Sequence, residues 1–164
     1  MENRNLWAPW RSLYVGAARE PGCIFCLAGK EEENPERLVV GSSDSTLLVM
    51  NRYPYATGHV MVTPRRHVGV MEELTGEEVM ELWRLAVKAK GALTSLYNPD
   101  GFNLGFNLGE AAGAGITDHL HLHVVPRWRG DTNFMPVLAD VRVMPQHLEE
   151  IRLALLAQLG ARST

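Results

Sequence analysis

The sequence predicts an α+β fold in which a mainly antiparallel sheet of five strands is accompanied by one long helix and a C-terminal helix. Two observations lead to this fold class. Short runs of β-branched and aliphatic residues alternate with turn residues, and two separate segments repeat apolar residues at helical spacing. The length of 164 residues suits one domain, so we assign residues 1–164 to a single unit.

Residues 1–36 are expected to form an N-terminal arm. Trp7, Trp10 and Tyr14 recur at spacings of three and four, which predicts a short helix or turn that aromatic side chains fasten to the core. The arm also carries a C-x-x-C sequence at 23–26. In an intracellular chain this spacing indicates either a metal knuckle or a redox pair, and the spacing alone leaves both interpretations open.

Residues 38–136 are expected to hold the central part of the fold. Aliphatic residues on both sides of a turn at 41–45 predict a hairpin over 38–50. A third strand is expected over 59–63, where Pro64 ends it because proline cannot donate a backbone hydrogen bond.

The long helix is expected to begin after Thr75. Thr75 suits the N-cap position, and Glu78 three residues later completes a capping box. Apolar residues recur at helical spacing as far as Tyr97, after which Asn98 and Pro99 end the helix. The recurring residues are Val79, Leu82, Trp83, Leu85, Ala86, Ala89, Leu93 and Leu96.

Two further strands and a last helix complete the prediction. The strands are expected over 102–108 and 119–126, on either side of a glycine-rich loop. The segment 145–160 is expected to form the C-terminal helix, because its apolar residues share one face. These residues are Leu148, Ile151, Leu155 and Leu159.

Composition argues against several classes of partner. Sixteen Lys and Arg against nineteen Asp and Glu give a formal net charge of −3, which is the wrong sign for a nucleic-acid or membrane-surface protein. Apolar stretches such as 47–50 are far shorter than the roughly 18 residues that a membrane span needs. Residues 1–4 do not open a signal peptide, so the cytoplasm is the expected location.

Three histidines alternate with aliphatic residues within 118–127. A period of two predicts a strand with His119, His121 and His123 on one face and Asp118 on the opposite face. Three histidines on one face do little for an apolar core, because each buried imidazole needs polar partners. The cluster therefore predicts a functional site.

The spacing argues against one metal ion bound by all three imidazoles. The first and third lie about 13 Å apart on a strand, whereas the ligands of one zinc ion lie a few Å apart. We expect His121 to be a nucleophile, with His119 and His123 orienting it or handling protons. One ring nitrogen of His121 must be unprotonated, and the other must donate to an acceptor, most simply a backbone carbonyl of the same strand.

The glycine-rich loop before these histidines is a candidate phosphate site. Gly113 and Gly115 allow backbone N–H groups to approach an anion, and the Asn107 amide adds a neutral donor. Such a loop alone is equally typical of a plain turn. Its position beside three histidines favours the anion site.

The segment 119–125 resembles the signature of the histidine-triad superfamily of nucleotide hydrolases and nucleotidyl transferases. Asn51 and the segment 58–64 also resemble the earlier strand of that family, which implies a HIT-like fold. Within the superfamily, the chain is similar to the bacterial branch that includes diadenosine tetraphosphate phosphorylases and to Fhit-like hydrolases. The segments that carry this likeness are 6–11, 101–109 and 126–134.

The resemblance implies a role for each matching residue. His121 would attack the α-phosphorus of a nucleotide and form a nucleotidyl-histidine, which water or phosphate then resolves. Asn51 would hold the ribose, and Trp128 would lie next to the leaving group. The groups implied to hold the phosphates are Asn107 and the backbone amides around Gly113, Gly115 and Ile116.

Three residues near the site either depart from the family pattern or have two possible roles. Gly115 and Ile116 stand where many members of the superfamily carry a glutamine followed by a hydroxyl residue. His59 begins a predicted strand near Asn51, where it either lines the pocket or is a structural histidine.

The resemblance also favours a structural zinc ion. Zinc-containing members complete a site of two cysteines and two histidines at the positions of Cys23, Cys26, His67 and His119. This zinc would be closed to substrate and would tie the arm to the sheet. Otherwise the thiols are reduced and packed as small apolar groups, since residues 1–30 do not suggest the setting of a redox motif. No organic cofactor is expected.

These expectations combine into a single-domain enzyme, with its catalytic core at 38–136, that cleaves a phosphoanhydride of a nucleoside polyphosphate such as diadenosine tetraphosphate. Two alternatives stay open: a nucleoside phosphoramidate or adenylyl-sulfate hydrolase using the same His121, and a nucleotide-binding sensor without activity. The family also implies a homodimer through the long helix and an adjacent strand, which the apolar stripe over 79–96 permits.

Overall fold

The computed structural model describes residues 22–131 and 146–160, so the predicted aromatic segment around Trp7 and Trp10 and the end of the predicted core lie outside the described residues. The strands are β1 (Val39–Ser42), β2 (Thr46–Met50), β3 (Val60–Pro64), β4 (Gly101–Phe106) and β5 (Leu122–Arg127). The α-helices of the described residues are α1 (Ile24–Lys30), α2 (Gly76–Tyr97) and α3 (Leu148–Gly160). The strand order is β1-β2-β3-β5-β4, and each neighbouring pair is antiparallel, which confirms the predicted α+β fold.

The core lies between the sheet and α2. This helix packs against β2, β3 and β5, and α3 packs against α2 and β1. Val79 and Trp83 belong to the predicted apolar repeat of α2, yet 40% and 51% of their surface is exposed. A helix of 22 residues carries more apolar residues than its sheet-facing stripe can bury. The core residues of α2 are Leu82, Leu85, Ala86, Ala89, Ala92 and Leu93.

The C-terminal helix buries the face that the sequence predicts. Ile151, Leu155 and Leu159 are buried, and Leu148 packs partly buried against the same core. No helix in the described ranges combines the length and the apolar character needed to cross a lipid bilayer.

The strand that carries the histidines begins later than predicted. The predicted strand 119–126 starts only at Leu122, because the backbone N–H of Leu120 donates to the carbonyl of Val68 at 2.8 Å instead of joining the sheet. At this crossing Gly69 lies so close to Asp118 that a Cβ atom would be 2.9 Å from its Cα. A side chain at residue 69 would push the two segments apart. The other strand ends differ from their predictions by one or two residues.

The beginning of α2 confirms the predicted capping box. The Thr75 hydroxyl accepts from the backbone N–H of Glu78 at 3.1 Å, and the Glu78 carboxylate accepts from the backbone N–H of Thr75 at 2.9 Å. The same carboxylate accepts two hydrogen bonds from the Arg66 guanidinium, at 3.0 and 2.9 Å. The Arg66 bonds, together with the bonds to Thr75, hold the pKa of Glu78 at about 2 although the carboxylate is buried.

We expect Glu78→Gln to lower the free energy of unfolding by about 2 kcal/mol at pH 7, because a buried charge-assisted network is lost. The lowered pKa of Glu78 stabilises the wild type fully above the ordinary value of 4.5, and this advantage is lost as pH falls to about 2. Urea unfolding at several pH values measures the difference. Glu77→Gln, at the exposed neighbouring position, is the control and should change little; an equal loss in both variants would contradict the prediction.

Candidate active site

Three buried histidines come together where β5 begins. His119 is 1% exposed, and His121 and His123 are 7% exposed. Only His123 lies within β5, opposite Met61 of β3, while the other two lie on the irregular approach to the strand. The residue before β3, His59, is also buried and adjoins His123.

A backbone carbonyl fixes the tautomer of His121. Its Nδ1 lies 2.9 Å from the carbonyl oxygen of His119, and because a carbonyl only accepts, Nδ1 must carry the proton. In the neutral ring Nε2 is therefore unprotonated. Burial lowers the pKa of His121, which favours this neutral form. The expectation that a carbonyl of the same segment orients His121 is confirmed.

His59 and His123 have the opposite arrangement. The backbone N–H of Tyr55 donates to Nδ1 of His59 at 3.0 Å, so the proton of neutral His59 is on Nε2. This Nε2 lies 2.9 Å from Nδ1 of His123, to which it donates. The proton of His123 is therefore on Nε2, a buried atom without a hydrogen-bond partner among the described residues.

His123 remains neutral over a wide pH range. Burial, with His121 nearby, lowers the pKa of His123 to about 4. The site thus presents an imidazole lone pair on His121. The neighbouring ring, at a centroid distance of 4.9 Å, presents an N–H group that finds no acceptor in the described ranges. A buried donor without a partner is costly, and a substrate oxygen would satisfy it.

The predicted phosphate loop is folded by its own backbone bonds. The N–H groups of Ala112 and Ala114 donate to the carbonyl of Gly109, and that of Gly113 donates to Glu110. Gly113 has a φ of +87°, a conformation that favours glycine. The backbone N–H of Gly113, predicted to bind phosphate, therefore already has an acceptor within the loop.

Gly115 and Ile116 follow the folded part of the loop. Among the described residues, neither backbone N–H has a hydrogen-bond partner. The Asn107 side chain reaches the same loop, since its amide nitrogen would be 3.8 Å from a Cβ atom at Gly113. Two free amides and one side-chain amide therefore remain as possible donors to an anion.

Asn51 and Trp128 lie in different surroundings. The side-chain oxygen Oδ1 of Asn51 accepts from the backbone N–H of Tyr53 at 2.9 Å, and its Nδ2 is 3.4 Å from Nδ1 of His59, so Asn51 adjoins the histidines. Trp128 donates from Nε1 to the carbonyl of Tyr97 at 3.4 Å. It follows the far end of β5, and the four residues from His123 to the end of that strand span about 13 Å. Its expected place beside the leaving group stays a prediction.

A second cluster lies on the other side of His119. Single ligand atoms of Cys23, Cys26, His67 and His119 all lie within 4.8 Å of one another. Nδ1 of His119 is 3.1 Å from Sγ of Cys23, and Nδ1 of His67 is 3.4 Å from Sγ of Cys26. The four residues named at the sequence level are thus brought together and could hold a metal ion.

The donor set fits a metal ion. Nε2 of His119 donates to the carbonyl of Pro64 at 2.9 Å, which leaves its Nδ1 unprotonated and facing the sulfurs. Burial and the neighbouring Cys23 raise the pKa of the Cys26 thiol. Two sulfurs held this close repel each other as thiolates, and a cation between them would remove that cost.

The structure places Asp118 beside this cluster. A regular strand predicts Asp118 on the face opposite the histidines, but its carboxylate oxygen lies 3.7 Å from Nε2 of His67. The prediction is wrong because β5 begins only at Leu122, so strand alternation does not apply to residue 118. A carboxylate behind a histidine ligand orients the ring and raises its basicity.

Two residues beside the histidines are missing from the predicted site. The ring of Phe25 contacts those of His119 and His121, and the ring of Tyr55 lies 4.7 Å from that of His59. The sequence offers only one signal for each. Phe25 stands between the two cysteines, and Tyr55 stands between Asn51 and His59.

Comparisons with known proteins show the family to which the chain belongs. A family model described as "HIT domain" matches residues 31–130. An "AP-4-A phosphorylase" of Mycobacterium tuberculosis is 41% identical over 167 residues, covering 97% of this chain and 85% of that protein. A "Bis(5'-adenosyl)-triphosphatase" of Dictyostelium discoideum is 31% identical over 90 residues, covering 55% of this chain and 60% of that protein.

Solved structures share the fold. A Zn-bound histidine triad family protein from Mycobacterium smegmatis superimposes with a TM-score of 0.67 at 26% identity, covering 85% of this chain and 94% of that one. The likeness therefore extends to a protein whose structure contains zinc.

We expect opposite tautomers for the two neighbouring triad histidines. Nitrogen-15 spectra of the imidazoles at pH 7 should show the proton on Nδ1 of His121 and on Nε2 of His123, and His123 should stay neutral down to about pH 4. The exposed His147 serves as the reference signal. A proton on Nδ1 of His123 would contradict the assigned direction of the bonds.

Proposed function

Because this chain belongs to the HIT family, we propose that it cleaves a phosphoanhydride bond of a nucleoside polyphosphate through a nucleotidyl-histidine intermediate on His121. One observation carries the proposal. Nδ1–H of His121 is hydrogen-bonded to the carbonyl of His119, so the Nε2 lone pair is available beside the Nε2–H of His123, which has no acceptor within 22–131 and 146–160. A lone pair next to a neutral donor suits attack on phosphorus with departure of an oxygen.

In the first step Nε2 of His121 forms a bond to the α-phosphorus. The bond between that phosphorus and its bridging oxygen breaks, and the electron pair leaves with the oxygen. The Nε2–H of His123 donates a hydrogen bond to the leaving oxygen and stabilises its growing charge. His59 keeps this proton on the correct nitrogen, because its own Nε2–H occupies Nδ1 of His123.

In the second step an oxygen nucleophile displaces His121 from the phosphorus. The mycobacterial relative named a phosphorylase supports inorganic phosphate as that nucleophile. With diadenosine tetraphosphate, the first step then releases ATP and leaves AMP on His121, and phosphate converts this AMP to ADP. The catalytic set in this proposal is His121, His123 and His119, the last acting through its carbonyl.

The remaining polar groups would hold the substrate. Asn51 lies beside His59 and would bind the ribose, while the Asn107 amide and the free N–H groups of Gly115 and Ile116 would bind phosphate oxygens. The proposal includes a cytoplasmic location and a single domain over 1–164.

We also propose a homodimer. Val79, Met80, Trp83 and Val87 are 40–62% exposed on the outer face of α2, and β4 is an edge strand of the sheet. An apolar helix face and the outer edge of β4, which has no partner strand among the described residues, are surfaces that a second copy can cover. The proposal rests on the family resemblance as well as on these exposed residues.

The reaction is tested with diadenosine tetraphosphate, with and without inorganic phosphate, followed by chromatography of the products. We expect ADP and ATP in equal amounts when phosphate is present. AMP and ATP as the sole products under both conditions would identify hydrolysis instead. No turnover of any nucleotide would contradict the proposal and favour a sensor.

Two variants test the role of His121. His121→Ala should lower kcat at least a thousandfold while nucleotide affinity changes little, because the nucleophile acts mainly in the transition state. Intact-mass spectra without acid should show a nucleotidyl adduct on wild type and on the slower His123→Ala, but none on His121→Ala. An adduct on another histidine would overturn the assignment.

We propose in addition that the four-residue cluster holds a structural zinc ion. Cys23, Cys26, His67 and His119 form a four-ligand donor set, which is closed to substrate in structural sites. When bound, the zinc ion would crosslink α1 to the approach of β5 and add binding free energy to folding.

Purified protein should contain about one zinc per chain, and removal by a strong chelator should lower its melting temperature. His67→Ala should lose most of the zinc, whereas His147→Ala, an exposed histidine elsewhere, should keep it. Elemental analysis and thermal unfolding measure both effects. A metal-free preparation of unchanged stability would refute the zinc proposal.

A further inference from the structure

Aromatic rings form a continuous row through the two clusters. Neighbouring ring centroids in this row are 4.7–5.2 Å apart. In order, the rings are His67, His119, Phe25, His121, His123, His59 and Tyr55.

Phe25 joins the two halves of this row. Its ring lies 5.2 Å from that of His119 and 5.1 Å from that of His121. Among the described residues, no direct ring contact connects His119 with His121. His119, a member of the four-residue cluster, and His121 therefore both contact the phenyl ring of Phe25.

Phe25 lies in a helix that is too short to be stable without contacts to the rest of the fold. α1 has seven residues, too few for a stable isolated helix. Phe25 is 1% exposed, and its neighbour Ile24 is 50% exposed. Cys23 and Cys26 flank Phe25 and attach the same turn to His67 and His119.

The hydrogen bond to the carbonyl of His119 restrains Nδ1 of His121. One hydrogen bond still tolerates a range of ring angles, because the last side-chain torsion of histidine is intrinsically broad. Packing against the ring narrows that range. The ring of Phe25, tilted by 37°, and the ring of His123, at 73°, both adjoin His121.

We propose that Phe25 is a positioning residue for His121, and that the C-x-x-C turn holds its ring against the imidazole so that Nε2 faces the substrate. Phe25 touches no reacting atom and acts through His121 alone. The inference rests on the proposed role of His121 as the nucleophile. A nucleophile displaced by about 1 Å can lose on the order of a hundredfold in rate.

The test compares Phe25→Leu and Phe25→Ala with Ile24→Ala, a truncation on the exposed side of the same turn. Phe25→Leu keeps most of the buried volume but removes the flat ring, while Phe25→Ala opens a larger cavity. We expect kcat for diadenosine tetraphosphate to fall about tenfold in Phe25→Leu, with KM within twofold and zinc content unchanged. Ile24→Ala should match the wild type.

A second measurement does not depend on activity. Nitrogen-15 spectra of zinc-loaded Phe25→Leu, without nucleotide, should show the His121 ring in a mixture of tautomers, whereas wild type and Ile24→Ala show one. The His123 signals should stay at their wild-type positions, because His59 holds that ring separately.

Two results would overturn the inference. One is wild-type kcat together with a single His121 tautomer in both Phe25 variants. The other is a loss of kcat in Phe25→Leu that matches its loss of zinc, since Phe25 would then only support the fold. If wild-type protein turns over no nucleotide, the proposed function fails, and the tautomer comparison still decides whether Phe25 orients His121.

Discussion

The arrangement of both clusters depends on how His119 is held. Its side chain donates to the carbonyl of Pro64, its other ring nitrogen faces the sulfurs, and its own carbonyl accepts a hydrogen bond from Nδ1 of His121. One residue thus connects the end of β3, the cysteine turn and His121. Moving His119 would disturb the metal donors and the tautomer of His121 together.

Backbone groups determine the chemistry of the triad more than side chains do. The N–H of Tyr55 sets the proton on His59, which sets the proton on His123, and the carbonyl of His119 sets the proton on His121. Backbone groups do not titrate, so in the proposed reaction the lone pair of His121 and the N–H of His123 need no change of tautomer before attack. Such preorganisation is the main way in which buried sites stabilise developing charge.

Sequence patterns predicted those features that depend on contacts between residues a few positions apart. The capping box of Thr75 and the carbonyl acceptor of His121 follow from spacing and hydrogen-bond chemistry, and the structure has both. The predicted position of Asp118 was wrong. The N–H of Leu120 donates to the carbonyl of Val68, which is distant in sequence, and β5 therefore begins later than predicted. Phe25 could not be assigned for the same reason: its contacts are with residues about a hundred positions away, and no periodicity reports them.

The sequence separation of these contacts also determines when the site can form. Hairpin β1-β2, strand β3 and helix α2 are all complete by residue 97. The pairs Cys23–His119 and His59–His123 are separated by 96 and 64 positions. Long loops must close before such contacts form, which makes them late events in folding. During synthesis the cysteines therefore emerge from the ribosome long before the histidine that completes their cluster, and a chain that ends before His119 has neither centre.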